Sequence, residues 1–312
     1  MLSRSTFFLF LCKSYFLSCF SVSDMKRLYL FLSPLLLFFL FNLSSCGDKT
    51  EIRQAKEHYI MQMTGSDLPD SLGLCIIDFK LEYPYVNDST DTLVNKIRSE
   101  VLLEAMGDSS YMNKRPDVAL HMLREALVED YKAEMREAVN TARRFRRDNA
   151  KVPPILFHNA EYVLRAEVVY IDDDVISYRI EQSIDNGNLT GPSENAIYVS
   201  FDARTGNRIE LLDLFIDGFE PATTTQIKDQ IMFDNGYENE EQMLMDGFTR
   251  IGELTPSDNF LLKPDSIVFY YAPYEIAVGA MGATEVTLPL EFLNTVLKKD
   301  SPYVKAMKKS RN

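Results

Sequence analysis

Tryptophan is absent from these 312 residues, and histidine occurs only three times and cysteine four. His58, His121 and His158 stand far apart, which excludes the paired-ligand spacing of a zinc hydrolase. No Gly-x-Ser-x-Gly elbow, glycine-rich phosphate loop or Cys-His pair is present. Cations are also short, because 33 Lys and Arg against 46 Asp and Glu give a net charge of −13. That balance argues against a nucleic-acid partner and against adsorption to anionic lipid, both of which need a basic footprint. These gaps predict no metal, no cofactor and no enzyme of a familiar class.

Long apolar runs are confined to the N-terminus. Met25-Lys26-Arg27 precedes an apolar core from Leu28 to Leu43, which ends in Leu43-Ser44-Ser45-Cys46. A basic start, an apolar core and small residues before the cut mark a secretory signal. The ending resembles the lipobox of bacterial lipoproteins, which implies cleavage between Ser45 and Cys46 and lipid on the Cys46 sulfur. The alternative is an uncleaved spanning helix, since about 20 apolar residues cross a bilayer. Translation is read as starting at Met25, and the chain as lipid-anchored in the cell envelope, facing periplasm or cell exterior. Removing residues 1–45 takes away four of the 33 cations and one of the 46 anions, leaving −16 on 267 residues. Only Cys46 and Cys75 then remain. Cys75 lies in the apolar run Leu72 to Phe79 as a small buried hydrophobe, so no disulfide framework is available.

Past the signal, residues 46–70 are polar and read as a lipidated tether. Alternation from Cys75 to Glu82 predicts a strand that ends at Pro84. Asp88 to Asp91 offers caps for a helix of about 15 residues, which Gly107 stops. A long amphipathic stripe from Pro116 to Arg147 predicts a second helix, with a break near Asp130. Tyr162 to Ile171 and Val175 to Ile184 flank an acidic turn as a hairpin, and a second hairpin is read at Ile197 to Phe201 and Arg208 to Leu212. Residues 221–251 read as helical, Ile267 to Tyr271 and Thr284 to Leu288 as strands, and Pro289 as the opening of a helix carrying Leu290, Leu293 and Leu297. Residues 301–312 read as a loose basic tail. The fold class is α+β, an antiparallel sheet with packed helices in two similar-sized halves, 71–192 and 193–300, either as separate domains or packed as one unit.

Two segments carry a family resemblance. Ser200-Phe201-Asp202-Ala203-Arg204-Thr205-Gly206-Asn207-Arg208, with its Leu212-Asp213-Leu214-Phe215 ending, is one. The other runs from Val268 through Tyr270-Tyr271-Ala272-Pro273-Tyr274-Glu275 to Leu288-Pro289-Leu290. They resemble the RsiV-like extracytoplasmic domain of bacterial envelope proteins, preceded by a half with a PdaC-like pattern. The resemblance implies a non-catalytic binding module for a lysozyme-like cationic protein or a cell-wall glycan. The histidine-bearing loop common in that family is replaced here by Asn188 to Asn195.

Tyr270, Tyr274 and Glu275 are the candidate ligand-facing residues, since tyrosines suit interfaces. Alternatives are a structural envelope component or a carboxylate-dependent wall hydrolase using Glu161, Glu167, Asp213 or Glu275, because paired acids can cleave glycosides. Asp70-Ser71-Leu72, Asp91-Thr92-Leu93 and Asp265-Ser266-Ile267, and with a polar third residue Asp88-Ser89-Thr90, resemble O-glycosylation sequences of the Asp-Ser/Thr-apolar kind.

Overall fold

The computed structural model describes residues 50–64, 73–87, 90–153, 158–187 and 191–310. The signal segment, the Ser45–Cys46 cut, the lipidation site, Ser71 and Ser89 lie outside them. The chain divides after Lys49, and residues 50–312 form one compact unit. Both expected halves therefore belong to a single body.

Five strands make the larger sheet in the order β1 (Glu51–Met63), β2 (Gly73–Tyr85), β3 (Ala160–Ile171), β4 (Val175–Asp185) and β5 (Ser193–Asp202). All neighbours are antiparallel except β2 and β3, which run parallel. That parallel pair needs a crossover, supplied by two helices between them, α1 (Thr92–Met106) and α2 (Pro116–Arg147). The Asp91 side chain caps α1 by accepting from Val94 N at 3.0 Å, and Gly107 closes it in a left-handed conformation. α2 runs unbroken for 32 residues through the expected break at Asp130, because Tyr131 and Met135 continue its buried stripe. Alternate residues of β2, Cys75, Ile77, Phe79 and Leu81, bury against Ile97, Val101, Leu120 and Tyr131 of these helices. Cys75 is a free, fully buried cysteine, and burial pushes its thiol pKa up.

The stretch expected as a tether is instead strand β1, paired with β2 along its whole length. Its inward side includes Glu57, which the Arg124 guanidinium of α2 neutralises at 2.8 Å, so a charge stands where an alternation rule expects an apolar residue. Pro84 does not end β2. It sits where β2 has outrun β3, whose pairing stops at Leu81, so the missing N–H removes no bond on that side.

The C-terminal part holds a three-stranded antiparallel sheet of β6 (Phe260–Leu262), β7 (Ser266–Tyr271) and β8 (Thr284–Pro289). Around it lie α3 (Leu211–Leu214), α4 (Glu220–Asn235), α5 (Glu240–Asp246) and α6 (Pro302–Ser310). Arg208 to Leu212 is not a strand: only Arg208 bridges to Phe201 before α3 begins. The helix expected after Pro289 is a run of turns, although Leu290, Leu293 and Leu297 are buried as expected. The expected loose tail contains α6, which buries Val304 and Met307 in the second core. The boundary at 192/193 does not separate two sheets, because β5 pairs with β4.

Candidate functional site

The face of the larger sheet away from α1 and α2 is polar and alternates in charge. Period-2 alternation puts Asp78 and Lys80 of β2, Val163, Arg165 and Glu167 of β3, and Arg179, Glu181 and Ser183 of β4 on this side. Register sets Arg165 opposite Glu181, Glu167 opposite Arg179, and Arg179 in turn opposite Tyr198 of β5. Arg165 is tied to Asp78 through its carboxylate and, at 2.7 Å, its carbonyl oxygen. Lys80 lies 2.6 Å from Glu167 and 3.5 Å from Glu82. Arg179 lies 3.3 Å from Glu181 and 3.9 Å from Glu167.

At the β5 end this face meets a wall built by β7 and β8. Asn259 clips the two together: its side chain accepts from Tyr198 N at 2.6 Å and donates to Ala196 O at 2.9 Å, while its carbonyl accepts from Tyr270 N at 2.8 Å. Tyr198 and Tyr270 sit with ring centroids 5.1 Å apart, and the Tyr198 hydroxyl donates to the Glu285 carboxylate. Burial, then that hydrogen bond, pushes the Tyr198 phenol well above its ordinary pKa. The result is an open groove of about 500 Å³, floored by Arg165, Arg179 and Glu181 and flanked by Glu194, Tyr198, Tyr270 and Glu285.

Of the three expected ligand residues, only Tyr270 lines this groove, and it does so as a buried wall at 7% exposure. Tyr274 is 74% exposed and holds a positive φ of 69°. Its ring lies against Gly279, where an added Cβ would fall 1.9 Å from Tyr274 Cζ. Glu275 accepts from Ala272 N at 2.7 Å and so closes the turn that carries Tyr274. The four candidate acids are dispersed. Glu161 is exposed on β3, and Asp213 closes the N-terminus of α3 by accepting from Glu210 N at 2.9 Å. The Glu167 carboxyl is held below its ordinary pKa by the hydrogen bond from Lys80, against the opposing effect of burial, which leaves it ionised and unsuited to general-acid work. Tyr198, Glu194 and Glu285 were not anticipated. The signal that could have found this face is the alternation of Arg165, Glu167, Arg179 and Glu181 on strands that also carry a buried face.

Among the described residues no group of three or more His, Cys, Asp or Glu side chains could hold a metal. None of their helices is long and apolar enough to cross a membrane. Ser266 is 5% exposed within β7, so the Asp265 sequence is closed to modification in the folded chain.

Residues 212–291 match the family model described as a protein of unknown function, DUF3298. The DUF3298 region holds α4, α5 and β6–β8, and thus the wall of the groove but not its floor. The fold is similar to that of a DUF3298 family member from Bacteroides fragilis, with a TM-score of 0.72 and 19% identity over 84% of this chain and 99% of that one. A DUF3298 family protein from Pseudomonas aeruginosa matches at a TM-score of 0.46 and 16% identity, over 80% of this chain and 95% of that one. Among curated proteins none matches.

Proposed function

We propose that this chain is a non-catalytic binding module, lipid-anchored at Cys46 in the cell envelope, whose groove captures a cationic protein of the lysozyme kind. One observation carries the reading: the groove's own cations are already neutralised, and its rim carboxylates are not. Arg165 is matched by Asp78, and Arg179 by Glu167 and Glu181. Glu194 and Glu285 are in no ion pair among the described residues, and Glu285 accepts from the Tyr198 hydroxyl. A lysine or arginine entering over the tyrosine pair would meet two exposed carboxylates beside buried rings, and such charges steer a cationic partner in a salt-dependent way.

The compact unit 50–312 should bind hen lysozyme with an affinity that falls as salt rises. Glu194→Gln with Glu285→Gln should weaken that binding about tenfold, equivalent to ~1.4 kcal/mol. Binding indifferent to both substitutions would remove the case for the groove. A second reading, hydrolysis of wall glycan, is favoured by the gathering of Glu181, Glu194 and Glu285 about one cleft. Release of muropeptides from purified peptidoglycan, lost in the same variants, would replace the first reading with the second.

A further inference from the structure

On another part of the surface, α4 and the turns after β8 leave two phenylalanines in water. Phe233 is 81% exposed and Phe292 is 49% exposed, and with Gln226, Asp229 and Gln230 they line a single shallow notch of about 310 Å³. Single exposed apolar side chains are ordinary, but two large aromatics sharing a notch mark a surface made to be covered.

What surrounds them indicates the cover. Residues 298–312 hold six of the 33 cations and one of the 46 anions, a net +5, while the rest of the chain carries −18. The fold brings Lys308 of this segment against the turn that carries Phe292. Lys308 of α6 donates to the Asn294 side chain at 3.1 Å, two residues past Phe292, and lines the neighbouring hollow with Glu291 and Asn294. Lys298 donates to the carbonyl of Leu212, itself 59% exposed, at 2.5 Å. Lys299, Lys305, Lys308 and Lys309 are exposed, and none is in an ion pair among the described residues. The notch itself carries one charged side chain, Asp229, and the lysines stand on α6 beyond the turn that holds Phe292. Exposed aromatics with an unpaired lysine cluster on the adjoining helix match a bilayer surface, where rings settle at the headgroup–acyl boundary and ammonium groups meet phosphates.

We propose that the Phe233–Phe292 notch and the lysines of α6 dock the folded unit onto the surface of an anionic bilayer. The acidic net charge that argues against membrane adsorption is confined to the rest of the molecule, so docking fixes which side faces the lipid and leaves the remainder repelled from it. This contact is separate from the groove and holds whether or not the groove binds a cationic partner.

The absence of tryptophan makes the test direct, because one introduced indole, excited beyond the tyrosine absorption band, is then the sole tryptophan signal. The full chain is reconstituted on vesicles of equal parts phosphatidylcholine and phosphatidylglycerol, and sedimentation confirms association. Phe233→Trp should shift its emission to the blue and be quenched by lipids brominated near the headgroup end of the acyl chain. Tyr274→Trp, equally exposed on the β7–β8 loop, should not. Lys305→Glu with Lys308→Glu should reduce the Phe233→Trp quenching while the chain still sediments. A sedimenting chain whose Phe233→Trp is as wet and unquenched as Tyr274→Trp would overturn the proposal, as would a chain that does not sediment. A blue shift that instead appears without vesicles as protein concentration rises would assign the notch to a second copy and equally end it.

Discussion

Asn259 lies in a loop-like run, Thr255-Pro256-Ser257-Asp258-Asn259, with nothing in its neighbours to single it out. Yet its side-chain amide stands in for a strand partner at the edge of β5, satisfying Tyr198 N and Ala196 O in one fork. Asn259→Ala leaves both backbone groups without that partner, and a loss of about 2 kcal/mol or more is expected, since each unsatisfied group costs roughly 1–3 kcal/mol. Asn259→Asp keeps the acceptor and loses the donor, so it should fall between the two. Urea unfolding with an unchanged slope checks both. Residues of this kind resist reading from sequence because their partners come from a different strand. The same holds for Tyr198 and Glu285, 87 residues apart and joined by one hydrogen bond. Tyr270 could be picked out from its aromatic motif, but the motif's other two members serve the turn itself. Tyr274 occupies the left-handed region and Glu275 closes the bend, so local chain geometry, not a shared ligand, keeps these three together.

Elements with a strong internal rhythm were legible. The hairpin of β3 and β4, the capped helix α1 and the strands β7 and β8 follow from alternation, capping and turn residues alone. β1 and α6 did not, for one reason: each is rich in charge, and its stabilising contacts lie far along the chain. Glu57 reads as solvent-facing until Arg124 is seen 2.8 Å away, with that guanidinium also 5.0 Å from the centroid of the Tyr59 ring. This gives β1 a testable role. A fragment starting at residue 71, the boundary that composition suggests, loses all 13 residues of β1 and exposes the alternating edge of β2. Bare, flat edges of that kind pair with other chains. The fragment 50–312 should therefore be monodisperse with a single cooperative transition, and 71–312 should aggregate and bind a hydrophobic dye. Equal thermal midpoints for the two would show that β1 is decoration.

For the whole molecule, two opposing effects set the response to acid. The chain carries −13 and has a sequence pI of about 4.8, so lowering the pH toward that value relieves self-repulsion. Against this stands Asp202, which ties α6 to the sheet by accepting from the Tyr303 hydroxyl at 2.7 Å, and from Arg204 N and Thr205 N at 2.7 and 2.9 Å. Burial alone would raise its carboxyl, but the Tyr303 bond, the two amides and the Arg204 charge outweigh it and hold the pKa below 3.8. A carboxyl whose pKa is depressed on folding contributes stability that is complete above the unfolded value, about 3.9, and is lost as pH falls through the lower folded value. The thermal midpoint should thus hold or rise slightly from about pH 7 to about pH 5, then drop below about pH 4. Asp202→Asn should start lower at neutral pH and lose less across the acid limb, because the group that titrates is gone. A wild-type curve and a variant curve that stay parallel through that limb would place the acid-sensitive contact elsewhere, with Glu167 and its Lys80 partner on the exposed sheet face next in line.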